Sequence, residues 1–110
     1  MKVKFYLLNS GRSPVEEFLK EQSAEIRSCF VDAVNLLAAG QTLSMPLSRH
    51  LSSIHSGLNE LRLKDRSGQV RVFYFVKKGD GIYLLHACRK KTQELPRKEI
   101  EFILKRIKEV

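Results

Sequence analysis

The stretch IYLLHACRKKTQELPRKEI, residues 82–100, decides how the chain is read. Residues 82–88 form a short apolar run rich in β-formers, and Pro96 is a residue that opens helices at their first position. The stretch carries five cations and one imidazole: Arg89, Lys90 and Lys91 before Pro96, Arg97 and Lys98 after it, and His86 inside the run. A strand therefore gives way to a helix through a strongly basic connection.

Upstream, LNELRLK (58–64) and VRVFYFV (70–76) are two further β patterns. RSG and KKGDG separate the three runs and are suited to tight hairpin turns, so the whole reads as a three-stranded antiparallel meander. Alternation in the first run puts Leu61 and Leu63 on one face and Glu60, Arg62 and Lys64 on the other. One side of the sheet is expected to pack on helices, leaving the other as a polar working surface. Downstream of Pro96, Ile100, Ile103, Leu104 and Ile107 recur at helical spacing, while Lys98, Glu101, Lys105 and Lys108 point mostly outward.

The N-terminal half supplies the remaining elements. VKFYLL (3–8) reads as a strand, and Ser13, Pro14 and Glu16 form a capping box with proline at the first helical position. Ile26, Phe30, Ala33, Val34 and Leu37 make one apolar stripe, with Gly40 placed to end that helix. The two helices are expected to form a hairpin. Residues 41–56, Ser-rich and carrying Pro46, read as a surface loop with a short turn. The expected class is α+β: N-terminal strand, helical hairpin, three-stranded meander and C-terminal helix, in one domain spanning 1–110.

The chain has 110 residues, 43% of them hydrophobic, and a net charge of +8, which suits a single domain with a modest core. The 20 Lys and Arg against 12 Asp and Glu favour a polyanionic partner, nucleic acid or an acidic protein. Val3 to Leu8 is too short for a signal segment, so a cytoplasmic location is expected, with no membrane association. Cys29 and Cys88 are expected as reduced, half-buried thiols without a disulfide. His50, His55, His86 and the two cysteines show no paired metal-ligand spacing, so neither metal nor cofactor is expected. Glycine-rich phosphate loops and a nucleophile elbow are absent from the sequence.

What remains is a group of cations on or near the sheet: Arg62, Arg71, Arg89, Lys90 and Lys91, with Arg49 in the preceding loop. Arg71 interrupts the most apolar strand, where a guanidinium costs desolvation unless it meets an anion or an open groove. A cross-strand ion pair of Arg62 or Arg71 with Glu60 is the competing explanation.

The series GLNELRL, VRVFYFV and IYLLHACRKKTQELPRKEI resembles the HigB-type, phage-related branch of the RelE/ParE toxin superfamily. The resemblance covers essentially the whole chain, and Lys90-Lys91-Thr92-Gln93 followed by Pro96 and Glu99-Ile100 is its most specific part. It implies a RelE-like, small-ribonuclease-like fold. It further implies a metal-independent endoribonuclease that cuts mRNA on the ribosome and is held inactive by a helix-turn-helix antitoxin. Two positions depart from the pattern: Cys88 stands where an aromatic residue is usual, and Leu95 or Pro96 stands where RelE relatives have a catalytic tyrosine.

Cleavage without a metal needs cations to stabilise the phosphorane and a group to move protons. Arg71 and Lys90, then Arg62 and Lys91, are the candidates for the first need. His86 is the candidate for the second, in competition with Tyr74 and Tyr83. Arg49, Arg89 and Lys77 are expected to grip RNA phosphates. Two other functions remain open: a ParE-like poison of DNA gyrase, and a toxin-like protein without catalysis that serves as partner of a DNA-binding antitoxin.

Overall fold

A computed structural model describes residues 1–110. In chain order the elements are β1 (Val3–Phe5), α1 (Pro14–Lys20), α2 (Ala24–Ala38), β2 (Ser48–His50), β3 (Leu58–Asp65), β4 (Gly68–Lys77), β5 (Gly81–Arg89) and α3 (Arg97–Glu109). The helix starts follow the local signals. Ser13 caps α1 by accepting from the Glu16 amide at 3.3 Å, and Ser23 caps α2 through the Ile26 amide at 3.1 Å. Gly40, at φ +87°, follows α2 in the left-handed region that glycine adopts without strain.

The expected meander is present as β3, β4 and β5, but it forms the centre of a larger sheet of order β1-β5-β4-β3-β2. β1 adds parallel to β5, with Val3 opposite Ile82 and Phe5 opposite Leu84. β2 adds antiparallel to β3 from within the segment expected to be a loop. Three residues with only Ser48 buried carry no alternation that sequence could reveal. No helix is long and apolar enough to cross a membrane.

The expectation of one covered and one polar face needs correction, because helices pack on both. α1 and α2 cover Leu61, Leu63, Val70, Val72, Tyr74, Ile82 and Leu84, joined by Val15, Leu19, Ile26, Phe30 and Leu37. α3 covers the opposite face at Leu58, Phe73 and Leu85 through Ile103 and Ile107. Only the remainder of that second face, around Glu60, Arg62 and Arg71, keeps a polar character. Cys29 also differs from expectation, being exposed rather than half-buried; Cys88 is half-buried and both thiols are free.

A β-bulge decides which β5 side chains reach the second face. Phe73 pairs with His86 and Tyr74 with Leu84, so Leu85 is an extra residue between them. Leu84 and Ala87 pack with the α1/α2 core, whereas Leu85 and Cys88 pack with the α3 cluster. The extra residue thus resets the alternation and turns His86 and Cys88 towards α3.

Leu63 is fully buried beneath the helices. Leu63→Ala should lower unfolding free energy by about 2–5 kcal/mol, read as a lower urea midpoint with unchanged slope. Gly57, at φ +85°, has no room for a side chain, since an added Cβ would lie 2.8 Å from the Val76 carbonyl oxygen. Gly57→Ala should therefore destabilise as well, whereas Gly79→Ala, whose Cβ would meet nothing within 4 Å, should do so less.

Candidate functional site

The polar part of the second face is organised by Glu60. In register, Arg49, Glu60 and Phe73 lie side by side across β2, β3 and β4, and Arg62, Arg71 and Cys88 lie side by side across β3, β4 and β5. Two arginines directly opposite each other repel unless an anion sits between them. The Glu60 carboxylate does so: Oε2 is 3.2 Å from Arg71 Nε and Oε1 is 3.8 Å from Arg62 Nε. Glu60 and Arg71 are each only 5% exposed. Arg62 Nε is too far and Arg71 Nε is not aligned to hydrogen-bond, so these contacts are ion pairs rather than forked hydrogen bonds.

Arg71 spends its other donors on the connection that follows β5. Its Nη2 donates to the carbonyls of Thr92 at 3.2 Å and Gln93 at 3.0 Å, which pins residues 92–93 over the sheet. Arg71 thereby separates two clefts. The first, about 480 Å³, is lined by Arg71, His86, Ala87, Cys88, Arg89, Lys91, Thr92, Pro96, Glu99 and Phe18. The second, about 350 Å³, contains Arg49, Glu60, Arg71, Gln93 and Leu95.

Of the expected site residues, Arg71, His86, Arg89 and Lys91 meet around the first cleft, and Lys91 is the exposed one. Arg89 lies 3.6 Å from Asp65, while its Nη1 is buried with no partner. Arg49 belongs to the second cleft. Lys90 lines neither; its Nζ reaches Gln93 Oε1 at 3.5 Å and its amide bonds Gln69. Arg62 touches Glu60 and the Met45 sulfur. Lys77 lies at the far end of β4, where Nζ donates to the Val110 carbonyl at 3.1 Å. Tyr74 is buried on the α1/α2 face against Ser48, and Tyr83 bonds Asp80, so neither lines the clefts. Burial pushes the Tyr74 hydroxyl above its ordinary pKa, the Ser48 hydrogen bond opposing this in part.

His86 is half-buried at the edge of the first cleft, with both ring nitrogens engaged. Its ring stacks between Phe73 and Phe102, each centroid 6.0 Å away. Arg106 Nη1 donates to the Leu85 carbonyl at 2.7 Å and lies 3.3 Å from His86 Nδ1. A guanidinium has no acceptor, so Nδ1 must accept, and a neutral ring then carries its proton on Nε2. That Nε2–H points at Glu99 Oε2, with which it is in short contact. Burial lowers the His86 pKa, Glu99 offsets part of this, and Arg106 lowers it further, all consistent with a neutral ring.

Glu99 was not among the residues singled out for chemistry from the sequence. The only signal there was a carboxylate three residues after a helix-opening proline, inside the most specific motif. In the structure it occupies the first turn of α3, where the helix dipole favours an anion, and lines the first cleft.

The donor atoms of His86, Cys88 and Glu99 lie within 4.8 Å of one another, a grouping that the sequence spacing did not reveal. Their surroundings suit a proton better than a cation. The ring nitrogen facing the group carries hydrogen, Arg71 and Arg106 stand close by, and the Cys88 thiol is pushed up to about 11, first by burial and then by Glu99.

Residues 17–108 match the family described as Phage derived protein Gp49-like (DUF891). Among curated proteins, no sequence gives a significant match.

Two predictions follow from the buried charges. Arg71→Ala should destabilise by about 3–5 kcal/mol, because it leaves a buried carboxylate under-compensated, and a cycle with Glu60→Gln should recover part of that loss. Equal losses in the single and double mutants would disprove the pairing. Thiol alkylation at pH 8 should modify Cys29 alone, since Cys88, with a pKa of about 11, stays protonated there. Peptide mapping should find Cys88 labelled only as alkalinity approaches that value or the chain unfolds.

The match spans most of the chain and includes α2, strands β2 to β5, the basic connection and nearly all of α3, so the protein belongs to the phage-derived Gp49-like family, a toxin–antitoxin toxin family related to RelE-type toxins.

Proposed function

We propose that this chain is the toxin of a type II toxin–antitoxin system and acts as a metal-independent, ribosome-dependent endonuclease on mRNA. The observation that carries the reading is the meeting of Arg71, Arg89, Lys91 and a carboxylate, Glu99, around one cleft in a member of this family. Fixed cations beside a carboxylate suit a reaction that builds negative charge on phosphorus while moving a proton. Lys90, Arg49 and the net charge of +8 extend a field that attracts RNA and ribosomal phosphates. A helix-turn-helix antitoxin of the HigA type, bearing an acidic or amphipathic segment, is the partner that such a basic face accepts.

Arg71 enters this reading chiefly as a positioning residue. It is buried, with Nε paired to Glu60 and Nη2 donating to the carbonyls of residues 92–93, next to Lys91. Loss of toxicity in Arg71→Ala would therefore not by itself identify a catalytic group.

In a reconstituted translation system the wild-type protein should generate new mRNA 5′ ends only when ribosomes are present. Lys91→Ala should reduce the rate on the order of a hundredfold, and Lys108→Ala should leave it unchanged. Intact mRNA together with loss of gyrase supercoiling activity would replace this reading with the gyrase one. Activity in neither assay, with the antitoxin complex still formed, would mean a partner without catalysis.

A further inference from the structure

We propose that Glu99 is the proton acceptor of the first cleft, that His86 positions it, and that Lys91 is the matching proton donor; this rests on the ribonuclease reading above. The side chains that line the cleft restrict the choice. His86 has no free nitrogen: Nδ1 faces Arg106 and Nε2–H is given to Glu99, while Phe73 and Phe102 stack against the ring. Its nitrogens could exchange a proton with substrate only by displacing Glu99 or Arg106. Glu99 uses Oε2 for His86 and leaves Oε1 without a protein hydrogen bond, on a side chain that is 27% exposed.

The donor follows by elimination among cations. Arg71 and Arg89 do not release protons in proteins, whereas a lysine ammonium can. Lys91 is the only lysine lining this cleft, and it is exposed. Cys88, protonated up to about pH 11, is a poor base.

The chemistry balances on these groups. The RNA 2′-hydroxyl gives its proton to Glu99 Oε1 as the 2′-oxygen bonds phosphorus. The bond from phosphorus to the 5′-oxygen breaks, and that oxygen takes a proton from Lys91. The products are a 2′,3′-cyclic phosphate and a 5′-hydroxyl, with Glu99 protonated and Lys91 neutral until solvent restores both. The neutral His86 holds the carboxylate through Nε2–H, and Arg106 enforces that tautomer from behind.

The test compares two mRNAs on programmed ribosomes, one ordinary and one with sulfur replacing the bridging 5′-oxygen at the scissile phosphate, whose thiolate leaves without protonation. Glu99→Gln should lower kcat on the order of a hundredfold or more on both substrates, with KM unchanged. Lys91→Ala should be slow on the oxygen substrate and return close to the wild-type rate on sulfur. His86→Gln, which keeps an N–H donor, should retain far more activity than His86→Phe. Should Glu99→Gln fail to fold by circular dichroism, Glu99→Asp replaces it, with lowered kcat and no sulfur rescue expected. Wild-type rates for the Glu99 variant beside an active wild type overturn this assignment and leave the ribonuclease reading standing. Sulfur rescue of the Glu99 variant rather than of Lys91→Ala also overturns it. Failure of the wild type to cleave either substrate removes both proposals.

Discussion

The polar half of the sheet depends on one buried carboxylate. Without Glu60, Arg62 and Arg71 would face each other across adjacent strands with no anion between them, a like-charge pair that destabilises the sheet. With it, two positive charges share one negative charge, and Arg71 has donors left for the backbone that leads into α3. Buried ion pairs contribute little net stability compared with apolar packing, but breaking one is costly, and they specify geometry well. Here the specified geometry is the path of residues 90–96, which no apolar side chain other than Leu95 anchors to a core.

The bulge at Leu85 is the second constraint. A regular strand would place His86 on the face covered by α1 and α2, away from Glu99. One inserted residue satisfies two demands: Leu85 fills the α3 core, and His86, its immediate neighbour, also turns that way. The Leu85 carbonyl in turn accepts from Arg106, the residue that sets the His86 tautomer. Backbone irregularity and side-chain protonation are thus linked through a single guanidinium.

Much of this fold is legible from the sequence because it is periodic. Ile26, Phe30, Ala33 and Leu37 all lie buried as their spacing requires, and the turns at RSG and KKGDG set the meander. What was hidden is non-periodic or long-range. β2 is too short and too polar to alternate, and the bulge leaves no mark in a run as uniformly apolar as IYLLHAC. The anion that the mid-strand Arg71 requires is legible only as a choice, because Glu60 and an external phosphate satisfy the same rule. Glu99 shows its partners only once α3 has docked. The cations of the site were therefore easier to find than the groups that orient them.

The pairing of β1 with β5 bears on how the protein comes into being. Val3 meets Ile82 across most of the chain, and Tyr6 contacts Glu109 across nearly all of it. Such distant contacts raise contact order and slow folding, because the loop between them must close before they give anything back. During synthesis β1 emerges first and has no partner until β5 follows, and the cleft lacks its carboxylate until α3 appears. On the catalytic reading proposed above, a nascent chain is accordingly inert until α3 docks.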